Sequence, residues 1–396
     1  MTDADTLRAN MVARLQAAHG FGEPVAAAMR AVPRHLFVPG TPVEPAYADE
    51  PIVTKRDADG VPISSSSQPT IMALMLEQLG VRPGDRVLEI GAGTGYNCAL
   101  LAHLAGPSGT VVGVDIDDDV VEAARRHLAA AGRTDVVVAR ADGAQGYPDQ
   151  APYDRIIATV GVWDLAPAWL EQLAPGGRIV VPLDLRGTQR SVAFERTAEG
   201  HWTSVSVVPC GFMRMRGALA GPEITRVLDR DTRLMVFLPE GGAPDAVLET
   251  LDSGATAEVP TTVLADPGDL LDGLSLWLAV HEPRWGTLSE LGDRRLPDAP
   301  VTIQDMRMTA GIFAADGTLA VLATDPDTRT LTARAYGPHR DLATALAAHV
   351  TAWDEAGRPD TTGLHLDAYT DTEPPPGPVT MRKRHTVIAV TWAARF

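Results

Sequence analysis

VLEIGAGTGY, residues 87–96, is the stretch that decides the fold of this 396-residue chain. It reads as a buried β-strand that stops at three glycines on alternate positions, Gly91, Gly93 and Gly95, just before a helix. Glycine lets the backbone turn tightly at such a point and lets a ligand approach the main chain closely. A dinucleotide-binding fingerprint would carry its third glycine one residue later, where this chain has Tyr96. The turn therefore predicts a nucleotide-like ligand, and its spacing argues against a dehydrogenase.

Apolar, β-branched runs recur after this turn and predict further strands. They lie at residues 110–115, 135–139, 153–161 and 173–182, and a helical stretch at 119–131 separates the first two. Strands that alternate with helices imply a parallel sheet covered on both faces. We therefore predict an α/β fold with a Rossmann-like sheet.

Acidic residues accompany the glycine turn at two informative positions. Glu89 lies two residues before the first glycine, and Asp115 ends the next strand, 20 residues after Gly95. In doubly wound folds an acid at that strand end accepts hydrogen bonds from two ribose hydroxyls. The alternative for Asp115 is a turn residue or a helix cap, since the acidic run 117–119 follows. The glycines and acids together resemble the first motif of S-adenosylmethionine-dependent methyltransferases, and the resemblance implies that Asp142 contacts the adenine amino group.

Composition and charge narrow the class of protein. The formal net charge of −17 argues against a nucleic-acid substrate, because phosphates would be repelled. No run of about 18 apolar residues and no leader segment is present, which predicts a cytoplasmic protein without a membrane partner. Cys98 and Cys210 are isolated and the histidines lack ligand spacing, so no metal is expected. The basic pairs 34–35 and 55–56 are expected to be solvated surface, although they could also attract an acidic substrate.

Three segments upstream of the glycine turn make the resemblance more specific. They read VPRHLFVP at 32–39, AYADEP at 46–51 and SSQPTI at 66–71. They resemble the Val-Pro-Arg…Phe-Val-Pro, Ala-Tyr-x-Asp-x-Pro and Ile-Ser-Ala-Pro-His-Met patterns of the protein L-isoaspartate (D-aspartate) O-methyltransferase family. Ser67 and Pro69 match the third pattern, whereas Gln68 and Thr70 depart from it. The resemblance covers roughly residues 20–210.

The resemblance implies a set of site residues and a methyl donor, S-adenosyl-L-methionine. The implied catalytic residue is Ser67, which with Pro69 could also begin the next helix. The implied substrate-binding residues are Tyr47, Ser66, Gln68 and Val160. The implied cofactor-binding residues are Ser65, Glu89, Gly91, Ala92, Gly93, Thr94, Gly95, Asp115, Ile116, Asp142, Gly143 and Thr159.

The predicted organisation has three parts. Residues 1–80 form a helical N-terminal arm that ends in an active-site serine loop, and residues 81–215 form the methyltransferase sheet domain. Residues 218–396 form an added α+β domain with strand-like runs at 233–238, 274–280 and 385–392 and a helix at 341–355. We expect this added domain to recognise a peptide, with Trp277, Trp285 and Trp353 as candidate exposed aromatics; a core position is their ordinary interpretation.

The serine run and the long C-terminal extension resemble a variant branch of the family, associated in actinobacteria with ribosomally made, modified peptides. That resemblance implies methylation of an ordinary aspartate in a peptide, such as a precursor already macrocyclised, followed by closure to an aspartimide and opening to isoaspartate. The alternative is general repair of isoaspartyl proteins. A third possibility is a non-catalytic binding protein that keeps the cofactor fold.

Overall fold

The N-terminal part is helical, as predicted, and carries one β-hairpin. The computed structural model of the chain describes residues 3–58, 60, 62–242, 244–325, 327–370 and 372–393. The helices are α1 (Ala4–His19), α2 (Glu23–Ala31), α3 (Val43–Ala46) and α4 (Pro69–Leu79), and the hairpin strands are β1 (Ile52–Arg56) and β2 (Pro62–Ser66). Much of the predicted serine loop is thus strand, with Ser65 paired to Val53. This arm lies over one face of the large sheet, where Met11, Phe21 and Met29 join its core.

The glycine turn belongs to a large mixed sheet. Its first strands are β3 (Arg86–Ile90), β4 (Thr110–Asp115), β5 (Val136–Arg140), β6 (Tyr153–Ala158), β7 (Leu173–Leu185), β8 (Thr188–Arg196) and β9 (Trp202–Pro209). The helices between them are α5 (Tyr96–Ala105), α6 (Asp118–Ala130) and α7 (Pro167–Gln172). Strands β7, β6, β3, β4 and β5 are adjacent and parallel, whereas β8 and β9 are antiparallel.

The order of these strands explains the position of the site. β4 lies on one side of β3 and β6 on the other, so the chain reverses its direction of winding at β3. Ligands of open α/β sheets bind at such a switch point, outside the carboxyl ends of the strands. β3 itself is hydrophobic on both faces, with Val87, Leu88 and Ile90 buried, because helices and the N-terminal arm cover the sheet. The predicted Rossmann-like fold is confirmed.

The rest of the chain builds a second, antiparallel sheet. Its strands are β10 (Ile224–Asp229), β11 (Leu234–Leu238), β12 (Ala255–Leu264), β13 (Trp285–Leu291), β14 (Val301–Ile303), β15 (Met306–Phe313), β16 (Leu319–Thr324) and β17 (Thr330–Tyr336). The helices of this part are α8 (Val247–Asp252), α9 (Ser275–His281) and α10 (Asp341–Glu355), and α10 packs on β12, β16 and β17. The predicted helix at 341–355 is present.

The last three strands return to the large sheet. β18 (Leu364–Tyr369) pairs with β9, β20 (Val387–Trp392) pairs with β18, and β19 (Val379–Arg382) pairs with β20. Leu366, Ile388 and Val390 are buried in the same core as Phe194 and Trp202. The stretch 218–396, expected as one added domain, therefore contributes to both sheets.

Two features of the C-terminal half differ from the sequence predictions. The run 274–280 was predicted as a strand but is helical. Leu274 ends a π-helical segment at Asp269–Leu274, and the rest of the run lies in helix α9, which follows directly. Periodicity cannot separate a short apolar strand from a buried helix, and leucine and alanine favour the helix. Trp285 and Trp353 are buried and only Trp277 is half-exposed, so the first two are core residues.

None of the described helices is long and apolar enough to cross a membrane.

Candidate active site

The glycine turn folds as a left-handed bend between β3 and α5. Gly91, Gly93 and Gly95 have φ angles of 92°, 51° and 84°, which are strained for other residues. The amide nitrogen of Gly91 donates a 2.8 Å hydrogen bond to the carbonyl of Val114 and fixes the turn against β4. A Cβ atom on Gly91 would lie only 2.7 Å from Val160 Cγ1. The turn thus leaves its backbone open to a ligand, and no side chain fits at its first position.

Asp115 is held against this turn at the end of β4. Its Oδ2 accepts a 3.0 Å hydrogen bond from the amide of Gly93, and its Oδ1 accepts one from the amide of Asp117 at 3.3 Å. Burial raises the pKa of this carboxyl above its usual value, and the backbone donors partly oppose that shift. The carboxylate is therefore fixed in orientation and lies on the wall of the main cavity described below.

Glu89 lies beneath the turn and is fully buried. Its Oε1 accepts hydrogen bonds from Asn97 Nδ2 at 3.0 Å and Thr159 Oγ1 at 3.1 Å, and its Oε2 accepts one from Cys98 Sγ at 2.8 Å. Burial raises the pKa of Glu89 to about 7, although the three donors act in the opposite direction. Cys98 is a small buried residue, as expected, and here it also satisfies this carboxyl.

The main cavity has a volume of about 380 Å³ and opens at the carboxyl end of the sheet. The glycine turn and Asp115 contribute to its lining, as do the β2–α4 segment and residues 209–216. The Ser65 carbonyl lies 3.7 Å from where a Cβ on Gly93 would stand, so residues 64–70, which we call the serine segment, meet the turn. The predicted site residues that line this cavity are Ser65, Ser67, Gln68, Gly91, Gly93, Asp115, Ile116, Gly143, Thr159 and Val160.

A smaller cavity of about 30 Å³ adjoins the turn and contains four more predicted residues in its lining. These are Ser66, Glu89, Ala92 and Thr94. Ser66 Oγ, Tyr96 Oη and Asn97 Oδ1 are buried here without a hydrogen-bond partner in the described part of the chain. Such atoms call for a polar ligand, since burying an unpaired polar group costs about 1–3 kcal/mol.

Three predicted site residues do not line either cavity. Tyr47 is buried and shares a 2.7 Å hydrogen bond with His35 Nδ1. Gly95 caps the start of α5, packed on Ala124 and Leu128 of α6. Asp142 uses its Oδ1 to accept from the amide of Ala144, and so caps a short 3₁₀ turn. In this structure the side chains of Tyr47 and Asp142 stabilise the walls.

The start of α4 shows what the residues of the serine segment do. The cap position is Gln68, not Ser67, and it makes no side-chain cap hydrogen bond. Asp49 supplies the cap from a distance, because its Oδ1 accepts from the amide of Thr70 at 2.9 Å. Asp49 also accepts hydrogen bonds from Gln68 Nε2 and Thr70 Oγ1, the two residues that depart from the family pattern. Ser67 is thereby left free of capping and lines both cavities.

Arg34 corrects the expectation that its basic pair is solvated surface. Its side chain is completely buried, and its Nη2 donates to the carbonyls of Glu50 at 3.2 Å and Ser66 at 3.4 Å. Desolvation lowers the pKa of Arg34, while Tyr96 and Asp49 favour its charged form. Arg34 thus anchors the serine segment through the carbonyl of Ser66. The VPR motif marked this residue, but an isolated arginine gives no sign of its burial.

One wall of the main cavity was missed entirely. We call residues 209–216 the strap, since they run from β9 across the cavity. Gly161 accepts a hydrogen bond from the amide of Met215 and donates one to the carbonyl of Met213, each 2.8 Å long. Gln189 makes a second pair of hydrogen bonds, with the amide and carbonyl of Phe212. In the sequence the strap showed only as a change of character near 213–217.

The strap and the β1–β2 hairpin are tied to the same acid. Asp117 Oδ2 accepts from Lys55 Nζ at 2.9 Å and from Arg216 Nη2 at 2.8 Å, and Lys55 also contacts Asp119 at 2.7 Å. Hydrogen bonds from Arg216 and then Lys55 lower the pKa of Asp117. We call this arrangement the Asp117 tie. In the described ranges, which exclude only scattered residues and the two chain ends, no group of acids, cysteines and histidines could hold a metal ion.

Comparison with known proteins shows which family this chain resembles. The protein-L-isoaspartate(D-aspartate) O-methyltransferase family model matches residues 7–218. The chain is 44% identical over 195 residues to the protein-L-isoaspartate O-methyltransferase of Methanoculleus marisnigri, covering 49% of this chain and 83% of the relative. It is 36% identical over 222 residues to that of Thermotoga maritima, covering 56% of this chain and 68% of the relative.

A solved structure described as a protein-L-isoaspartate O-methyltransferase extends the likeness beyond the matched half. It is 26% identical, covers 91% of this chain and 96% of its own, and superposes with a TM-score of 0.52. The C-terminal half is therefore not peculiar to this chain. The matched residues 7–218 include the glycine turn, Asp115, the serine segment and the strap, so this chain belongs to the protein-L-isoaspartate(D-aspartate) O-methyltransferase family of S-adenosylmethionine-dependent enzymes.

Proposed function

We propose that this enzyme transfers a methyl group from S-adenosylmethionine to the free carboxylate of isoaspartyl residues in proteins and peptides, as a general repair activity. The observation that carries the proposal is that one cavity contains both the glycine turn with Asp115 and the serine segment with Ser67. The family match over residues 7–218 and the relatives named for this activity support it.

The residues present fit the cofactor. Gly91 and Gly93 line the cavity without a side chain, which keeps the backbone of the turn accessible. The oriented carboxylate of Asp115 suits a pair of ribose hydroxyls, which are hydrogen-bond donors. The unpaired buried oxygens of Ser66, Tyr96 and Asn97 suit the polar amino-acid end of the cofactor. When bound, the cofactor supplies an electrophilic methyl group on a positively charged sulfur.

The protein has little proton chemistry to perform. A carboxylate with an ordinary pKa of about 4 is already ionised near neutral pH and can attack carbon directly. The site must orient this nucleophile and remove water from it, and proximity can lower a barrier by about 7–11 kcal/mol in favourable cases. We assign the orienting role to the hydroxyl of Ser67, which can donate one hydrogen bond without the strong neutralisation of an ion pair.

The chemistry after methylation follows from the leaving group. Once the carboxylate is a methyl ester, the neighbouring backbone nitrogen can attack it and expel methanol, which closes a succinimide. The free carboxylate would have to expel a much poorer leaving group. Opening of the ring by water then returns aspartate or isoaspartate, so no further enzyme group is required.

A second candidate is methylation of an ordinary aspartate in a ribosomally made peptide, including a macrocyclised precursor. Its support is the serine segment, where the departures Gln68 and Thr70 both bind Asp49 at the entry to α4. The C-terminal half no longer favours this candidate, because a solved protein-L-isoaspartate O-methyltransferase matches 91% of this chain.

A matched pair of peptides tests the proposal. The two peptides share one sequence and carry either isoaspartate or aspartate at one position, and each is incubated with S-adenosylmethionine. We expect methyl ester and then methanol from the isoaspartyl peptide, and at least 100-fold less from its partner. Ser67→Ala should reduce kcat/KM about 10- to 100-fold, the effect of losing a hydrogen bond to a charged group, whereas exposed Ser108→Ala should not.

The opposite preference would replace the proposal with the second candidate. Turnover of neither peptide, together with tight binding of the cofactor, would support a binding protein without catalysis.

A further inference from the structure

The turn between the last two strands of the large sheet reaches back toward the active site. This C-terminal turn comprises residues 383–386 and connects β19 to β20. The amide of Lys383 donates a 2.8 Å hydrogen bond to the carbonyl of Thr386 and closes the turn. Lys383 and Thr386 are both buried, so the turn is part of the interior although it lies near the end of the chain.

The C-terminal turn binds a carboxylate that no solvent reaches. Asp164, 0% exposed, accepts a 2.6 Å hydrogen bond from the amide of His385 on Oδ2. Its Oδ1 accepts from the Thr386 hydroxyl at 2.6 Å and from the amide of Leu165 at 2.8 Å. Two of its three donors therefore come from a segment more than 200 residues away in sequence, since the two contacts span 221 and 222 positions.

Two cations of the C-terminal turn, Lys383 and Arg384, contact Trp163, which is next to Asp164. Lys383 Nζ donates a 2.8 Å hydrogen bond to the carbonyl of Asp184 and lies 5.1 Å from the centre of the Trp163 ring. The Arg384 guanidinium lies 5.7 Å from that ring and donates to the carbonyl of Ala218, just beyond the strap. The turn thus contacts residues 163–164 and also Ala218, two residues beyond the strap.

A short path leads from Asp164 to the cavity. Val162 is fixed to β7 by hydrogen bonds to Pro182 and Asp184, both 2.8 Å long. Gly161 makes its two hydrogen bonds to the strap, and Val160 lines the main cavity. We call residues 160–164 the wall loop, since they connect the C-terminal turn with the cavity wall.

We propose that Asp164 is a positioning residue for methyl transfer. Held by the C-terminal turn, it fixes the wall loop and, through Gly161, the strap. We assign the strap to the substrate, because the glycine turn and Asp115, which we assign to the cofactor, form a different part of the cavity lining. Asp164 touches neither substrate nor cofactor in this account. The inference rests on the proposed function only for the choice of peptide used to measure it. It gives the C-terminal strands a part in substrate binding without direct peptide contact.

The Thr386 hydroxyl allows a sharp test, because valine has the same shape but cannot donate. Thr386→Val leaves Asp164 buried with one donor fewer, and Thr386→Ser restores the hydroxyl. Thr391→Val is the matched control, on strand β20, which follows the C-terminal turn, but away from the turn itself. For each variant the measurements are kcat and KM for the isoaspartyl peptide, the dissociation constant of S-adenosylhomocysteine, and the melting temperature.

For Thr386→Val we expect KM for the peptide to rise about 5- to 10-fold, as for the partial loss of one hydrogen bond to a charged group. The cofactor affinity should stay within twofold, because the hydrogen bonds that hold the glycine turn and Asp115 involve Val114, Gly93 and Asp117, which lie outside the wall loop. Thr386→Ser and Thr391→Val should behave like the wild type.

An unchanged KM in Thr386→Val would overturn the inference. A parallel loss of cofactor affinity, kcat and melting temperature would also overturn it, because it would show a purely structural role. Inactivity of the wild type toward the peptide would contradict the proposed function instead, and would be seen before any variant is made.

Discussion

At the scale of single residues, the site depends on two carboxylates with different surroundings. Asp115 is oriented by backbone amides and lines the main cavity, whereas Glu89 is sealed beneath the turn by three side-chain donors. The sequence spacing identified both acids, but it could not show this difference. It also gave no means of seeing that Asp142 caps a local turn or that Tyr47 faces His35, because such contacts depend on tertiary packing.

Asp115→Asn should weaken cofactor binding. The substitution removes the negative charge and one acceptor oxygen from a site held by the Gly93 amide. We expect the dissociation constant of S-adenosylhomocysteine, measured by calorimetry, to rise about 10- to 100-fold, or about 1.4–2.8 kcal/mol. The control is Asp118→Asn, whose exposed carboxylate pairs with Arg140 at 3.4 Å. Equal affinity in both variants would show that Asp115 is merely a turn residue.

Glu89 should make the stability of the unliganded enzyme depend on pH. Its pKa is about 7 in the folded state against 4.5 for the free side chain, so the folded state holds the proton between these values. The free energy of unfolding therefore falls as pH rises across this window. The free energy of unfolding of Glu89→Gln, relative to that of the wild type, should therefore increase by roughly 2–3 kcal/mol as the pH rises from 5 to 8.

Urea unfolding at several pH values measures this difference. Glu171→Gln, at an exposed position, serves as the control and should follow the wild type at every pH. A difference between Glu89→Gln and the wild type that does not vary with pH would contradict the predicted titration.

At the scale of elements, the strands and helices around the glycine turn could be predicted from the sequence. The strap and the β1–β2 hairpin, which form other parts of the cavity wall, could not. The parallel strands are long apolar runs bounded by glycine and acidic residues, which is a strong local signal. The strap and the β1–β2 hairpin are short, and contacts with Gly161, Gln189 and Asp117 give them their position. Helix α9 was predicted as a strand because its sequence is a short apolar run. Such a run fits either a buried strand or a buried helix.

The Asp117 tie should help to retain the cofactor. Lys55→Met removes the contacts of the β1–β2 hairpin with Asp117 and Asp119. Because exposed ion pairs contribute little, we expect the KM for S-adenosylmethionine to rise only about two- to fivefold, with the effect shrinking in about 0.5 M salt. The control is Arg56→Met, which changes a neighbouring cation that donates to the carbonyl of Gly60. Identical salt dependence in the two variants would contradict this role.

At the scale of the whole molecule, the two halves of the chain share the large sheet. A boundary at 218 was expected from the change in composition, but no local signal announces that strands β18–β20 return to β9. Pairing across more than 150 residues is decided by the register of two edges, as in the contact of Ala368 with Trp202. The C-terminal half is therefore both a second sheet and the completion of the first.

Leu366→Ala should consequently weaken the catalytic half. Leu366 is fully buried in the core with Phe194 and Trp202, and such a truncation costs about 2–5 kcal/mol. We expect faster hydrogen exchange in the amides of β8 and β9. Leu322→Ala is the matched control in the core of the second sheet and should raise exchange there alone. Undisturbed exchange in β8 and β9 of the Leu366 variant would show that the halves are independent.

The fate of the methyl group is the most direct test of the central claim. Purified enzyme, S-adenosylmethionine labelled in its methyl group and an isoaspartyl peptide are mixed for a single turnover. We predict that the label moves to the peptide as an ester and then leaves as methanol, with a succinimide left behind. Label that stays on the cofactor, or that moves to an atom other than a carboxylate oxygen, would contradict carboxyl methylation by this enzyme.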